Sequence, residues 1–235
     1  MSRTAALEKT ARVSRMFARI APSYDLMNRL MSVWRDQQWR RQAAGLAAPP
    51  ADGLALDVAT GTGDLALLLA ERTGRVVGSD PCAAMVAPGT GKVAGSAWGS
   101  KIRFVLSDAQ ELPFQDERFD CVTVAFGVRN MADPLTAFRE MRRVVKPGGR
   151  VVCLEIMPPS GRLLGRLYKL YLTRLVPLLG GLVSGQPEVY RYLSDSVLGF
   201  ARPEELSSIM ERAGLLRVTY RALNFGSIAI HVGTR

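Results

Sequence analysis

The stretch ALDVATGTGDLALLLA, residues 55–70, constrains this chain more than any other. An apolar run with the look of a strand meets two glycines spaced two apart, and a leucine-rich run of helical composition follows. A joint of this kind needs glycine, because the backbone must turn out of a strand into a helix within a few residues and leave room for a ligand against it. It points to an α/β protein whose first strand delivers a small-molecule site at its carboxyl end.

The rest of the chain alternates in the same way. RVVGSD (75–80), IRFVLSDA (102–109), FDCVTVAF (119–126) and RVVCLE (150–155) read as strands, with helices over residues 65–71 and 134–145 between them. Asp133 before Pro134 is a good N-cap with proline at the first helical position, and KPGG (146–149) is a strong stop. The glycine-rich run 88–100 reads as weakly structured. After a helix over 202–214, RVTYRAL (217–223) and SIAIHV (227–232) are joined by the short NFG and pair antiparallel. The expected fold is a doubly wound, mostly parallel seven-stranded sheet of Rossmann-like α/β type, closed by that antiparallel pair. At 235 residues and 48% hydrophobic content, the chain is long enough to bury one core. We expect a single domain over 1–235: an N-terminal helical lid (1–45), a cofactor-binding half (46–156), and substrate-side helices with the last strand pair (157–235).

Charge and cysteine content narrow the class. The net charge of +10 is concentrated, with nine Lys/Arg against three Asp/Glu in residues 1–45, and four basic and no acidic residues in 162–174. Both segments also carry apolar side chains at helical spacing: Val13, Met16, Phe17 and Ile20 in the first, and Leu163, Leu164, Leu167, Leu170 and Tyr171 in the second. Such basic amphipathic stretches suit an anionic membrane surface or nucleic acid, or simply pack with a solvated basic face. Cys82, Cys121 and Cys153 are scattered, without metal-ligand spacing, which fits reduced thiols, no metal site and a cytoplasmic setting. The greasy region 163–183 is interrupted by Arg166, Lys169 and Arg174, so no transmembrane span or signal core is expected.

In a doubly wound sheet the ligand lies beyond the carboxyl ends of the strands, where Gly61, Gly63, Asp80, Asp108 and Phe126 converge. Residues 61–66 match the loose dinucleotide pattern G-x-G-x-x-G/A, with Asp80 at the separation of a ribose-binding acid. Asp57 and Asp64 speak against a pyrophosphate, since negative charge at the helix start repels it. A cationic ligand without phosphate suits the joint better, and S-adenosylmethionine, a sulfonium with an ammonium group, is one.

The pattern D-x-A-x-G-x-G-D at residues 57–64 resembles motif I of the class I methyltransferases. By that resemblance Asp57, Gly61, Thr62 and Gly63 form the cofactor loop, Asp80 binds the ribose hydroxyls, Asp108 and Ala109 read the adenine, and Ala125 lies beside the cofactor. RMFARIAPSYDLMNRLMS (15–32), DAQELPFQDERFDCVTVAFGVRNMADP (108–134), RVVKPGGRVVCLE (143–155), VYRYLSDS (189–196) and the ending IAIHVG resemble the ubiquinone/menaquinone biosynthesis C-methyltransferases over nearly the whole chain. FGVRN and YRYL are the most specific of these blocks. Thr60, Ala125 and the Asn-Phe of LNFGSIAIH depart from the usual pattern. The resemblance implies methyl transfer from S-adenosylmethionine to a ring carbon of a lipophilic prenylated quinol. Demethylmenaquinol is the favoured substrate, and a polyprenyl methoxybenzoquinol is the alternative.

For that chemistry the enzyme must hold the ring and stabilise charge on its oxygen. Arg129 and Asn130, just past the fourth strand, are the candidates, with Tyr24 from the APSYD block; Asp25, Tyr190, Arg191 and Tyr192 could line the walls. The single histidine, His231, alternates with Ile230 and Val232 and reads as structural. The basic amphipathic segments would then meet a bilayer peripherally, at the inner face. An RNA methyltransferase is the rival of another class. The fourth strand leads into AFGVRN rather than an Asn/Asp-Pro-Pro-aromatic loop, Cys121 sits inside a strand, and no nucleic acid is expected. A non-catalytic cofactor-binding subunit is the second rival.

Overall fold

The chain is analysed as a computed structural model that describes residues 3–158, 161 and 163–235, excluding the side chains of Arg3, Leu163 and Leu164. Seven strands form one sheet in the order β3-β2-β1-β4-β5-β7-β6. The strands are β1 (Leu54–Val58), β2 (Arg75–Asp80), β3 (Ile102–Leu106), β4 (Phe119–Ala125), β5 (Val145–Ile156), β6 (Leu216–Leu223) and β7 (Ile228–Thr234). All pairings are parallel except those of β7, which runs antiparallel to both β5 and β6. The doubly wound, mostly parallel sheet with its antiparallel end is therefore present as expected.

Central strands read as apolar because both their faces are covered. On one side, α3 (Asp36–Ala47) and α4 (Asp64–Ala70) bury Trp39, Ala43, Leu65 and Leu69 against Ala55, Cys121 and Val152. On the other, α6 (Pro134–Val144) and α10 (Pro203–Arg212) bury Phe138, Met141, Leu206 and Met210 against Leu56, Val122 and Val151. Asp133 caps α6 as its sequence predicts, accepting from the backbone N–H of Leu135 at 3.0 Å.

A third cluster lies beyond the carboxyl ends of β1, β4 and β5. There α1 (Arg3–Ile20) and α2 (Tyr24–Ser32) meet α8 (Val176–Ser184), α9 (Pro187–Leu198) and the π-helical turn Tyr171–Leu175, which follows α7 (Leu163–Leu170). Ile20, Met27, Leu172, Val176, Val189, Tyr190 and Val197 are its buried members. The apolar face of α1 is thus turned inward onto the site. Arg162 and the side chains of Leu163 and Leu164, part of the second basic amphipathic segment, lie outside the described residues.

Three local expectations are corrected. The run 88–100 is not weakly structured throughout: α5 (Ala83–Ala94) continues across Pro88, burying Met85, Gly89 and Val93 at i, i+4 and i+8. The N-terminal region, which reads from sequence as two helical segments, holds three α-helices among the described residues, because the chain also breaks at Val33 and Trp34, both left-handed without glycine (φ 51° and 60°). KPGG is not a free turn but a bulge within β5, where pairing with β4 jumps from Phe119↔Val145 to Cys121↔Arg150.

The loops leaving β1 and β4 touch. A Cβ on Gly127 would stand 2.6 Å from the Cβ of Ala59, itself held at φ 53°. Gly127→Ala is expected to lower stability by about 1–3 kcal/mol in urea titration. Gly91→Ala on α5, where a Cβ meets nothing within 4 Å, should instead raise it by up to about 1 kcal/mol.

Candidate active site

The glycine loop is built around a buried carboxylate. Asp57, 1% exposed, accepts hydrogen bonds from the hydroxyls of Thr60 (2.6 Å) and Thr123 (2.8 Å). It therefore ties the loop after β1 to the neighbouring strand β4 and does not stand on a cavity wall. Burial pushes its pKa up to about 6, against the two hydroxyl bonds. Gly63 is equally structural, at φ 79° with Phe104 where a side chain would go. The Thr62 hydroxyl turns away to donate to Asp25 at 2.6 Å.

The remaining loop residues converge on a cleft. Gly61, Asp80, Asp108, Ala109 and Ala125 line it, with Tyr24, Phe126, Gly127 and Asn130 along one side. Asp80 accepts from the backbone N–H groups of Gly61 (2.9 Å) and Cys82 (2.8 Å), and burial raises its pKa against those bonds. Two carboxylates beside apolar Pro81, Met85 and Ala109 fit a cationic nucleoside: acceptors for ribose hydroxyls and for an exocyclic amine, and a slot for the base. The cleft measures about 90 Å³, and α1 lies across it through Thr10, Val13, Ser14 and Phe17. Thr10 donates to Asp108 at 2.8 Å and Lys9 to the Met131 carbonyl at 2.6 Å.

A charge cluster holds the lid over this loop. Lys92 on α5 bonds Asp25 (2.8 Å) and Asp64 (2.6 Å), and Arg29 on α2 reaches Asp64 (2.7 Å) and also pairs with Asp36. Burial works against the Asp64 charge, yet Arg40, Lys92 and Arg29 hold its pKa down to about 2. Arg40 also lies over the Phe126 ring, 4.8 Å from its centroid.

Phe126, Tyr24, Phe17 and Asn130 separate the cleft from a second, larger cavity of about 630 Å³ and line both. Its walls are mostly apolar, from Met16, Met27, Met31, Leu172 and Val189, with Tyr168, Tyr171, Tyr190 and Tyr192 among them. Of the weaker candidates, Tyr190 and Tyr192 reach this wall, whereas Arg191 is exposed. Arg129 and Asn130 sit at the end shared with the cleft. Arg129 is an ion-pair residue and a cavity residue at once: it bonds buried Glu155 at 2.5 Å and the Phe126 carbonyl at 2.7 Å. Its Nε and Asn130 Oδ1 are buried without a hydrogen-bond partner among the described residues.

Sequence reasoning missed Glu155, Asn28 and Tyr168. Glu155 lies in a strand end that reads as apolar; Asn28 falls one helical turn after Tyr24, a spacing that could have found it. Burial pushes the Tyr168 phenol up to about 12, so it faces the cavity as a neutral donor. His231 is fully buried, bonded at Nε2 to the Pro203 carbonyl (2.9 Å), with its pKa lowered by burial. It is structural, as its alternation predicts. No group of three or more metal-ligating side chains occurs among the described residues.

The family model for the ubiE/COQ5 methyltransferases matches residues 5–235. This chain belongs to the ubiE/COQ5 methyltransferase family. It is an S-adenosylmethionine-dependent methyltransferase. The demethylmenaquinone methyltransferase of Thermus thermophilus is 50% identical over 222 residues, covering 94% of this chain and 100% of that protein. The ubiquinone/menaquinone biosynthesis C-methyltransferase UbiE of Geobacter sulfurreducens is 44% identical, over 97% of this chain and 90% of its own length. Among solved structures, a SAM-dependent methyltransferase of Thermotoga maritima shares the fold at TM-score 0.67 and 20% identity, over 94% of this chain and 98% of that one.

The buried Asp57 makes the fold pH-dependent. Because its folded pKa is raised, the native state binds the extra proton between the unfolded value near 3.8 and about 6, so this group's contribution falls as pH rises through that window. Asp57→Asn, which keeps an acceptor for Thr60 and Thr123, is expected to remove about 2–3 kcal/mol of that decline. Unfolding free energy measured from pH 4 to 7 checks it. An unchanged slope in the variant contradicts the assignment.

Proposed function

We propose that this enzyme C-methylates the ring of demethylmenaquinol, with the ring held at the shared end of the two cavities and the prenyl tail in the larger one. The observation that carries the reading is the placement of polarity. A large apolar cavity has its buried unpartnered Arg129 Nε and Asn130 Oδ1 at the end where it meets the cofactor cleft. An apolar ring with two hydroxyls, trailed by a hydrocarbon chain, matches that distribution.

When bound, S-adenosylmethionine supplies an electrophilic methyl group on a sulfonium. The chain's own residues prepare the nucleophile. A hydroquinone carbon attacks best when its neighbouring hydroxyl is ionised or nearly so, and the Arg129 guanidinium favours charge on that oxygen. Asn130 accepts from the hydroxyl while it still carries its proton. Phe126, with Arg40 behind it, and Tyr24 form the wall that sets how the ring approaches the cleft. Gly61, Asp80, Asp108, Ala109 and Ala125 hold the cofactor, while Asp57, Thr62 and Gly63 shape the loop that does so. The α1 and α2 lid excludes water from the reacting pair. The substrate's chain places the encounter at a bilayer surface, consistent with the concentrated basic charge and with the finding that no described helix is long and apolar enough to cross a membrane.

Methyl transfer from labelled S-adenosylmethionine to reduced demethylnaphthoquinol with a short prenyl tail tests this reading, with reduced methoxybenzoquinol in parallel. We expect turnover on the naphthoquinol and none on its oxidised form, which lacks the nucleophilic carbon. Arg129→Ala should lower kcat by about 100-fold or more with little change in cofactor affinity. Tight cofactor binding without turnover on either quinol overturns the reading.

A further inference from the structure

The larger cavity also has a mouth: Val33, Arg35, Leu175 and Asn224 line it and are exposed or half-exposed. Around this mouth the surface is unusually apolar. Trp34 is 60% exposed, Phe225 87%, Leu178 60% and Leu182 76%. Leu175, Leu178 and Leu182 follow at i, i+3 and i+7 and form one outward stripe from the mouth along α8. Two loops present the aromatic tips, and Arg35 ties them together by donating to Asn224 at 2.9 Å.

These tips are held out against backbone preference. Val33, Trp34, Asn224 and Phe225 all sit in the left-handed region, at φ 51°, 60°, 50° and 57°. For a β-branched valine that conformation is an outlier, and strain of this sort persists where function maintains it. The charge nearby has one sign. The segments 33–35, 161–186 and 221–227 contain no Asp or Glu, whereas Arg35, Arg166, Lys169, Arg174 and Arg221 are all exposed.

We infer that this rim docks the enzyme on an anionic bilayer: Trp34, Phe225, Leu178 and Leu182 enter the headgroup region, the basic residues meet the anionic heads, and the prenyl tail enters the cavity directly from the lipid. The inference rests on the reading of a prenylated substrate and adds to it the surface and the route. Apolar side chains ringed by positive charge, at the mouth of an apolar cavity, are what an interfacial enzyme needs and what a freely diffusing one avoids. The ring enters first and stops at Arg129 and Asn130, which fixes its orientation toward the cleft.

Flotation of the full chain with phosphatidylglycerol-rich vesicles, against phosphatidylcholine vesicles, tests the docking. The wild type should float with the anionic vesicles, and Trp34→Ser/Phe225→Ser should partition at least about tenfold more weakly. Arg174→Glu should weaken anionic binding about fivefold or more and leave neutral vesicles unaffected. None of these three residues lines either cavity, so methylation of a water-soluble quinol with one isoprene unit should be unchanged in the variants. Methylation of a long-tailed quinol embedded in the vesicles should fall in parallel with binding. Wild type that stays off anionic vesicles, or variants that bind as well as it does, overturns the docking surface. So does light scattering that shows a lipid-free dimer split by the Trp34/Phe225 variant, since the rim would then be covered by a second copy. Vesicle binding through this rim without methylation of either quinol overturns the substrate reading and leaves the docking surface standing.

Discussion

The Asp57 carboxylate joins the loop after β1 to the adjacent parallel strand β4, and the candidate site depends on that junction. It accepts from Thr60 in the cofactor loop and from Thr123 in β4. β4 leads within six residues to Arg129 and Asn130. The glycine loop after β1 and the loop that carries Arg129 and Asn130 are thus built on one buried polar knot. They also touch at Ala59 and Gly127, and the backbones of Ala59 and Phe126 are left-handed. Carrying a buried acid with a raised pKa works against stability near neutral pH. Under the proposed mechanism, what the fold gains is a fixed distance between methyl donor and acceptor sites, and alignment of that kind is worth several kcal/mol in a bimolecular transfer.

The lid is fastened by a different kind of interaction. Asp25, Asp36 and Asp64 face Arg29, Arg40 and Lys92 in one part-buried cluster that joins α2, α3, α4 and α5. Its charges sum to zero, and this changes an argument made from sequence. Asp64 at the start of α4 argues against a phosphate ligand only if its charge is open to the ligand. In the structure Arg29 and Lys92 already compensate it, and Asp57 is sealed in the core. The acids that do stand on the cleft are Asp80 and Asp108, and these favour a cationic nucleoside. The conclusion about the ligand holds for a reason that only packing reveals.

The strands were legible because two-sided burial writes them as apolar runs, and the antiparallel pair because NFG is too short for anything but a hairpin connection. Helix α5 was not legible. Pro88, Gly89, Gly91 and Gly95 all argue against a helix, yet Gly89 is small because α5 runs directly against the cofactor loop: a Cβ there would meet the Thr62 backbone at 3.0 Å. Tertiary contact overrode propensity. The break between α2 and α3 was hidden for the opposite reason, since it uses left-handed Val33 and Trp34 where glycine is the usual sign. Of the candidate cofactor residues, Gly61, Asp80, Asp108, Ala109 and Ala125 reached the cleft, and Asp57, Thr62 and Gly63 did not. A motif marks a loop, and only side-chain direction separates the residues that face the ligand from those that hold the loop in shape.

Under the proposed mechanism, the pairing of Arg129 with Glu155 tunes the site toward a transition state. A lone guanidinium at the end of an apolar cavity would be costly to bury and would hold any phenolate tightly, the ground state and the product included. With Glu155 fully buried at 2.5 Å, the pair is neutral overall and its geometry is fixed, while Nε is buried without a hydrogen-bond partner among the described residues. An oriented N–H on a neutralised guanidinium interacts weakly with a neutral hydroxyl and more strongly as the oxygen ionises. The stabilisation therefore grows along the reaction, which is the condition for a residue to raise kcat and not merely tighten binding. Glu155 touches neither cavity, so its contribution passes wholly through the position and charge of Arg129.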